Sequence, residues 1–165
     1  MAADAASYRE LFFSLAGEYN RLLGAQGALQ MDDGPQVEFQ TCRADVRFVL
    51  RHSNTQNPSC VAVECRLGGL PADGQPEAMM RLLQVQRTLT VFASATLSLD
   101  PTDGEVCHTL VVPLVGTGGM DLHRAMTGQE SIAGAWRSSH FENAFDEGRE
   151  QVACSVSTTQ QVLLQ

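Results

Sequence analysis

The stretch from Gln75 to Ala95, QPEAMMRLLQVQRTLTVFASA, decides the fold of this chain because it places a long helix between two groups of strands. Pro76 suits the first turn of a helix, where its missing N–H costs no hydrogen bond. Glu77 follows at the positive end of the helix dipole. Apolar residues then return every three or four positions, which predicts an amphipathic helix in the middle of the chain.

The apolar part of this helix is wider than the stripe of about 100° that one packing face needs. One face is wholly apolar and consists of Leu82, Val85, Leu89 and Phe92. The neighbouring face is mixed and consists of Met79, Leu83, Gln86, Thr90 and Ala93. Two arrangements stay open, a helix fully buried within one monomer and a helix that also meets its own copy. We predict a homodimer whose interface is Leu82, Val85, Leu89 and Phe92, with the mixed face packed on the helix's own sheet.

Strands are predicted on both sides of the helix. Before it, apolar and polar residues alternate in Val37–Thr41, Val46–Leu50 and Val61–Cys65. Short connectors join these segments, which predicts an antiparallel meander with one face exposed to water. After it, Thr96–Asp100 and Glu105–Leu114 flank a turn of Pro, Thr, Asp and Gly, which predicts a β-hairpin.

Two further helices are predicted at the ends of this pattern. Ser7 and Glu10 have the spacing of a capping box, and apolar residues follow at helical spacing up to Gly24. Asp121 is predicted to cap the last helix. Gly128 and Gly134 each weaken this helix by about 1 kcal/mol relative to Ala, and we expect a break near Gly128. The order α-β-β-β-α-β-β-α indicates an α+β fold with an antiparallel sheet of about five strands. We expect one domain over residues 1–146 and a mobile C-terminal tail over residues 147–165.

Composition argues against several classes of partner and compartment. Acidic residues number 19 and basic ones 11, for a formal net charge of −8. Such a field repels phosphate backbones, so we expect no nucleic-acid binding. No window approaches the length of about 18 apolar residues that indicates a membrane span. The 5 Cys have no CxxC spacing and fit a reducing cytoplasm better than a disulfide framework.

Candidate sites for chemistry are weak in this sequence. Gly116–Gly119 precedes a helix but lacks the Lys and Ser/Thr that complete a phosphate-binding loop. His52, Cys60 and Cys65 flank one turn, but their spacing matches no tight zinc knuckle. No His has a sequence context that pairs it with a Ser or Cys nucleophile. We therefore expect no catalytic residue, no metal and no cofactor, although a small enzyme or nucleotide-binding domain stays a competing hypothesis.

The ordered set of local motifs resembles the class I type III secretion chaperones of the Tir-chaperone family. Leu67–Pro71, LGGLP, resembles the family's L-G-x-L-P exit from the sheet. Leu82–Gln86, LLQVQ, resembles its L-L-x-x-N central helix, with Gln86 in the place of the Asn. The entry to the sheet, the hairpin and the strand before the last helix are matched by Leu29–Gly34, Ala95–Pro101 and Val111–Leu114.

The resemblance implies a binding protein and not an enzyme. Such chaperones are cytoplasmic bacterial homodimers that serve virulence by holding the extended N-terminal segment of a secreted effector and presenting it to the secretion apparatus. The secretion ATPase is a further partner that the resemblance implies. The alternative is an adaptor or regulatory binding protein on the same fold, with a partner that is not secreted.

We predict that the effector lies on the first helix and the adjoining sheet. Phe12 and Phe13 are neighbours in the chain, so both cannot point into the core. Soluble proteins tend to expose large apolar patches where a partner covers them. The effector-binding candidates are Phe13, Tyr19 and Val37, with Phe12 shared between the groove and the core.

Overall fold

The computed structural model describes residues 5–24, 34–92 and 94–142, with the side chains of residues 5, 6, 91 and 92 left out. The elements follow the predicted order, and their bounds are α1 Ala5–Leu22, β1 Gln36–Arg43, β2 Val46–Ser53, β3 Cys60–Gly68, α2 Gln75–Phe92, β4 Ala95–Leu99, β5 Val106–Pro113 and α3 Gly119–Ser139. The predicted α+β fold with an antiparallel sheet of five strands is confirmed. The predicted tail at residues 147–165, and all of Leu29–Gly34 except Gly34, lie outside the described residues.

The strands form one sheet in the order β1-β2-β3-β5-β4, and each neighbouring pair is antiparallel. Ala44 and Asp45 close the β1–β2 hairpin with φ angles of 45° and 61°, as a two-residue turn requires for its twist to match that of the strands. Between β3 and β5 the register shifts at Gly68, whose φ of 114° suits a residue without Cβ. β1 and β4 are the two edges of the sheet.

The core lies between one face of the sheet and the helices. Residues of β3 alternate strictly between buried and partly exposed, so that Val61, Val63, Cys65 and Leu67 point into the core. α1 packs beside α3, α3 crosses β3, and α2 lies against β4. The largest fully buried side chain, Trp136 of α3, donates from Nε1 to the Gly69 carbonyl at 3.2 Å and so holds the end of β3 under the helix.

Two helix predictions need correction. α1 begins at Ala5, before the predicted capping residue Ser7. α3 runs unbroken through Gly128 from Gly119 to Ser139. Leu122, Met126 and Trp136 bury their side chains along it, and burial of side chains this large outweighs the intrinsic cost of a helical glycine.

The two faces of α2 are used the other way round from the sequence prediction. The wholly apolar face is buried in the core of its own chain, through Leu82, Val85 and Leu89. The mixed face is the outer one, where Met79, Met80 and Leu83 are exposed. Folding selects the more apolar face because burial within one chain carries no cost of bringing two molecules together. Phe92 ends the helix, and its side chain is outside the described residues.

None of the described helices combines the length and the apolar character needed to cross a bilayer.

Candidate functional site

Along most of its length the edge strand β1 has backbone groups that lack a hydrogen-bond partner among the described residues. Pro35 accepts a hydrogen bond from the Asn54 N–H at 3.0 Å, which fixes the phase of the β1–β2 ladder. Because hydrogen-bonded pairs alternate in an antiparallel ladder, the backbone of Glu38, Gln40 and Cys42 points away from β2. No hydrogen bond to these outward groups is found among the described residues. Within the described part of the chain, β1 is therefore an open edge, and such an edge can accept another strand.

The two faces of β1 differ in chemistry. Val37 and Phe39 are buried against the helices, at 1% and 8% exposure. Glu38 and Gln40 lie on the opposite, open face of the sheet, and Glu38 accepts a hydrogen bond from Arg51 at 2.7 Å. A charged residue on an edge strand normally discourages pairing, but here the neighbouring strand neutralises it.

Helix α1 forms one wall beside the beginning of β1. Arg9 donates to the Gly34 carbonyl at 2.8 Å, and its guanidinium carbon stands 5.7 Å from the centre of the Phe13 ring. Phe13 is partly exposed and meets Phe12 edge to face at 5.7 Å. Phe12 itself is fully buried and stacks on His52 of β2, with 5.5 Å between ring centres. Arg9 thus places Phe13, a partly exposed apolar side chain of α1, near the start of the open edge.

The predicted effector-binding residues are separated by burial. Phe12, Tyr19 and Val37 are 0%, 0% and 1% exposed, so they pack within the core. Phe13 alone of the four is partly exposed. Phe13 of α1 and Val37 lie near the beginning of β1, whereas Tyr19 of α1 lies near its far end, where the Tyr19 hydroxyl is 3.5 Å from Arg43. Burial raises the pKa of Tyr19, and the Arg43 contact opposes that rise.

Arg43, the last residue of β1, anchors this strand to α3. Its Nε lies 2.9 Å from Glu130 Oε1, and a terminal nitrogen donates to Thr127 Oγ1 at 3.2 Å. The other terminal nitrogen approaches Nδ1 of His123 at 3.3 Å. Because guanidinium only donates, that ring nitrogen acts as the acceptor. The sequence offered no signal for this cluster, since its members are far apart in the chain.

The open face of the sheet is covered by a network of ion pairs. Arg51 bridges Glu38 and Glu64, Arg66 bridges Glu64 and Asp100, and Arg47 contacts Glu105 at 2.9 Å. Beneath these side chains Val49 and Cys107 are only 3% and 2% exposed. Val111 of β5 is 38% exposed on the same face, so the network covers only part of it. We therefore consider the edges and the helix layer the better candidates for a docking surface.

The glycine-rich loop before α3 is already occupied by carboxylates. Glu18 of α1 accepts a hydrogen bond from the Gly119 N–H at 3.0 Å, and Asp121 accepts one from the Gly118 N–H at 3.1 Å. A Cβ at Gly119 would lie 2.9 Å from the Cβ of Glu18, so glycine is needed where α1 and α3 approach. Two negative groups at this helix end disfavour a bound phosphate.

The candidate zinc residues do not converge on a common point. Both ring nitrogens of His52 have contacts, with the Cys60 carbonyl at 3.3 Å and the Asn54 side-chain oxygen at 3.1 Å. Cys65 faces the core, where burial raises the pKa of its thiol to about 12. Among the described residues a different set does bring its ligand atoms within 4.8 Å of one another, namely Glu64, Asp100 and Cys107. The Arg66 guanidinium already contacts both of these carboxylates, so a cation stands in that place.

One polar pair is buried in the core between β5 and α3. Gln129 donates from Nε2 to the carbonyls of Val63 and His108 at 3.0 and 3.1 Å, and Nδ1 of His108 lies 3.0 Å from the same nitrogen. His108 Nε2 and Gln129 Oε1 are buried without a hydrogen-bond partner among the described residues. Burial lowers the pKa of His108 to about 4, so the ring is neutral at physiological pH.

Comparison with known proteins shows a shared fold. A chain of the HopA1–SchA chaperone–effector complex is 20% identical with a TM-score of 0.59, and the match covers 84% of this chain and 100% of that chain. A chain of the ExsC–ExsE complex is 14% identical with a TM-score of 0.62, and the match covers 84% of this chain and 96% of that chain. No protein-family model and no curated protein matches the sequence. The chain therefore has a fold that also occurs in a chaperone–effector complex.

Proposed function

We propose that this protein is a type III secretion chaperone of the bacterial cytoplasm. It would bind the extended N-terminal segment of a secreted effector, keep that segment soluble and present it to the secretion apparatus, including its ATPase. The observation that carries the proposal is the open β1 edge, because an extended segment can add to it as a further strand. The fold shared with a chain of a chaperone–effector complex and the resemblance of the local motifs support the same function.

The bound segment would lie along β1 with α1 as its wall. Outward backbone groups at Glu38, Gln40 and Cys42 would pair with the segment, which supplies affinity without a fixed sequence. Phe13 would contact an apolar side chain of the segment near the beginning of the strand. Phe12, Tyr19 and Val37 would support this surface from the core, since they are buried.

We also propose that two copies associate through α2. Met79, Met80 and Leu83 are 41%, 58% and 63% exposed and lie on one side of the helix. Exposed apolar patches of this kind are typical of surfaces that a second molecule covers. Leu82, at 8% exposure, borders this surface, whereas a contact through Val85 and Leu89 would require the core to open.

The test uses two proline variants that differ by one position. Gln40→Pro removes an outward N–H and leaves the ladder to β2 intact, whereas Thr41→Pro removes an N–H that points toward β2. Binding is measured by co-purification with the N-terminal segment of the large protein encoded by the neighbouring gene. We expect Gln40→Pro to keep its melting temperature and lose binding, and Thr41→Pro to lose stability.

Phe13→Asp probes the wall of the same surface. We expect loss of binding with an unchanged oligomeric state, because Phe13 is only partly buried. If Gln40→Pro and Phe13→Asp both fold and bind as the wild type does, the segment does not bind at β1 and the proposed surface is wrong. Tight binding of a partner that is not exported would favour the adaptor alternative.

A further inference from the structure

The second edge of the sheet, β4, also has backbone groups that point outward. The Val111 N–H donates to the Ser94 carbonyl at 3.2 Å, which fixes the phase of the pairing with β5. By the alternation of an antiparallel ladder, Thr96 and Ser98 face β5, and the backbone of Ala95, Leu97 and Leu99 faces outward. Leu97 is the middle one of these positions, so a strand that added to β4 would need its N–H.

That N–H is already taken by a side chain of α2. Gln86 Oε1 accepts a hydrogen bond from the backbone N–H of Leu97. The Gln86 amide nitrogen donates to Thr90 Oγ1 at 2.7 Å, and Thr90 donates to the Gln86 carbonyl at 2.8 Å. Contacts at both ends of its amide therefore hold the Gln86 side chain in one orientation, against the edge of the sheet.

We infer that Gln86 is a specificity-determining residue that closes the β4 edge, so that the sheet accepts an added strand at β1 and not at β4. The choice between the two edges matters only if the protein binds extended segments, so this part of the inference rests on the proposed function. The hydrogen bond that closes β4 does not depend on it. At β1 no described side chain accepts a hydrogen bond from the outward N–H groups of Glu38, Gln40 or Cys42. The two edges therefore differ in whether a side chain accepts a hydrogen bond from an outward backbone N–H.

A closed β4 edge has a physical purpose in a protein that binds extended segments. An edge strand with free N–H and C=O groups pairs with any other edge, including that of a second copy. With both edges open, copies of this chain could join edge to edge in open-ended series. One side-chain amide at the middle of β4 removes that route while the β1 edge stays available.

The experiment compares Gln86→Leu with Gln86→Glu. Leu has no acceptor for the Leu97 N–H, whereas Glu keeps an oxygen at the same distance from the backbone. Amide hydrogen exchange is followed by NMR in the full chain at low protein concentration, and solution mass is measured by light scattering as concentration rises. The N–H groups of Thr96 and Ser98 serve as internal controls because they face β5.

In the wild type, the Leu97 amide should exchange at least about tenfold more slowly than the outward amides of Glu38 and Gln40. Gln86→Leu should remove that protection in dilute protein and add concentration-dependent association, while Gln86→Glu should retain the protection. If Gln86→Leu does not fold, Thr90→Val takes its place. This variant keeps Gln86 but frees its side-chain amide, so Leu97 should exchange at a rate between those of the wild type and the outward amides of β1.

Two results would overturn the inference. One is a wild-type Leu97 amide that exchanges as fast as that of Gln40. The other is a folded Gln86→Leu protein with unchanged Leu97 exchange and unchanged solution mass. Failure of the proposed function would look different, because Leu97 would still be protected while no effector segment bound at β1.

Discussion

The buried His108 predicts that this protein loses stability between neutral and mildly acidic pH. In the folded chain burial lowers the pKa of this ring to about 4, against an ordinary value of 6.5. As the pH falls through 6.5, the unfolded chain binds a proton at this ring and the folded chain does not. Stability therefore decreases with falling pH and levels off below about 4, where both states carry the proton.

The size of the effect follows from the two pKa values. The full gap between them corresponds to about 3 kcal/mol of unfolding free energy. Between about pH 7 and about pH 5 roughly 2 kcal/mol of this is lost, because most of the titration of the unfolded chain falls in that interval. A loss of 2 kcal/mol is a large fraction of the stability of a typical domain, about 5–15 kcal/mol.

Urea unfolding measures this loss directly. The single tryptophan, Trp136, is buried at 1% exposure and reports unfolding by its fluorescence. The control is His108→Asn, whose side-chain oxygen can accept the hydrogen bond from Gln129 but does not titrate. Protein concentration is held fixed so that association contributes equally at each pH.

We expect the wild type to lose about 2 kcal/mol more than His108→Asn between about pH 7 and about pH 5. The variant is expected to be less stable at neutral pH, because Asn fills less of the core, but this offset does not enter the comparison. Equal losses in the two proteins would refute the reasoning, since they would assign the pH dependence to other groups.

Two further predictions concern thiol reactivity and α2. Among the cysteines that the structure describes, alkylation of the folded protein should label Cys42 first, because it is exposed, and Cys65 and Cys107 last, because burial raises the pKa of these thiols to about 12 and about 11. A bound segment on β1 should slow labelling of Cys42, and faster labelling of Cys65 than of Cys42 would contradict the burial. Leu83→Asp should separate the proposed dimer into folded monomers, whereas Leu89→Asp should cost about 4 kcal/mol or more of folding stability, because Leu89 is 1% exposed in the core. Light scattering and thermal melting measure both effects, and a Leu83→Asp protein that stays dimeric would show that the interface does not include this surface of α2.

The strand pattern was predictable because the sheet has one covered face. In β1, Val37 and Phe39 point to the helices while Glu38 and Gln40 point away, and this alternation is visible in the sequence itself. The helix in the middle was equally visible, but the use of its two faces was not. A pattern shows that Leu82 and Leu83 are both apolar, and only the position of α2 at the β4 edge decides which one is buried.

The contacts that define the candidate site depend on register, which the sequence does not display. Whether the N–H of Gln40 or that of Thr41 faces outward is fixed by the turn at Ala44 and Asp45, two residues with no glycine to indicate a left-handed turn. Arg43 reaches Glu130 across 87 positions of the chain, and no local pattern marks such a pair. Gln86 stood out in the sequence only as the residue in the place of the Asn of the resembled motif.

The chemistry around β1 also constrains the segment that would bind there. A strand added to this edge alternates its side chains between the helix side, near Val37 and Phe39, and the open face, near Glu38 and Gln40. Val37 and Phe39 are already almost fully buried, so the added strand would find its apolar contact at the partly exposed Phe13. With a net charge of −8 on the chain, basic residues on the open-face positions of the segment are favoured over acidic ones. The expected partner is therefore an extended segment with apolar residues toward α1 and basic or neutral polar residues on the opposite side.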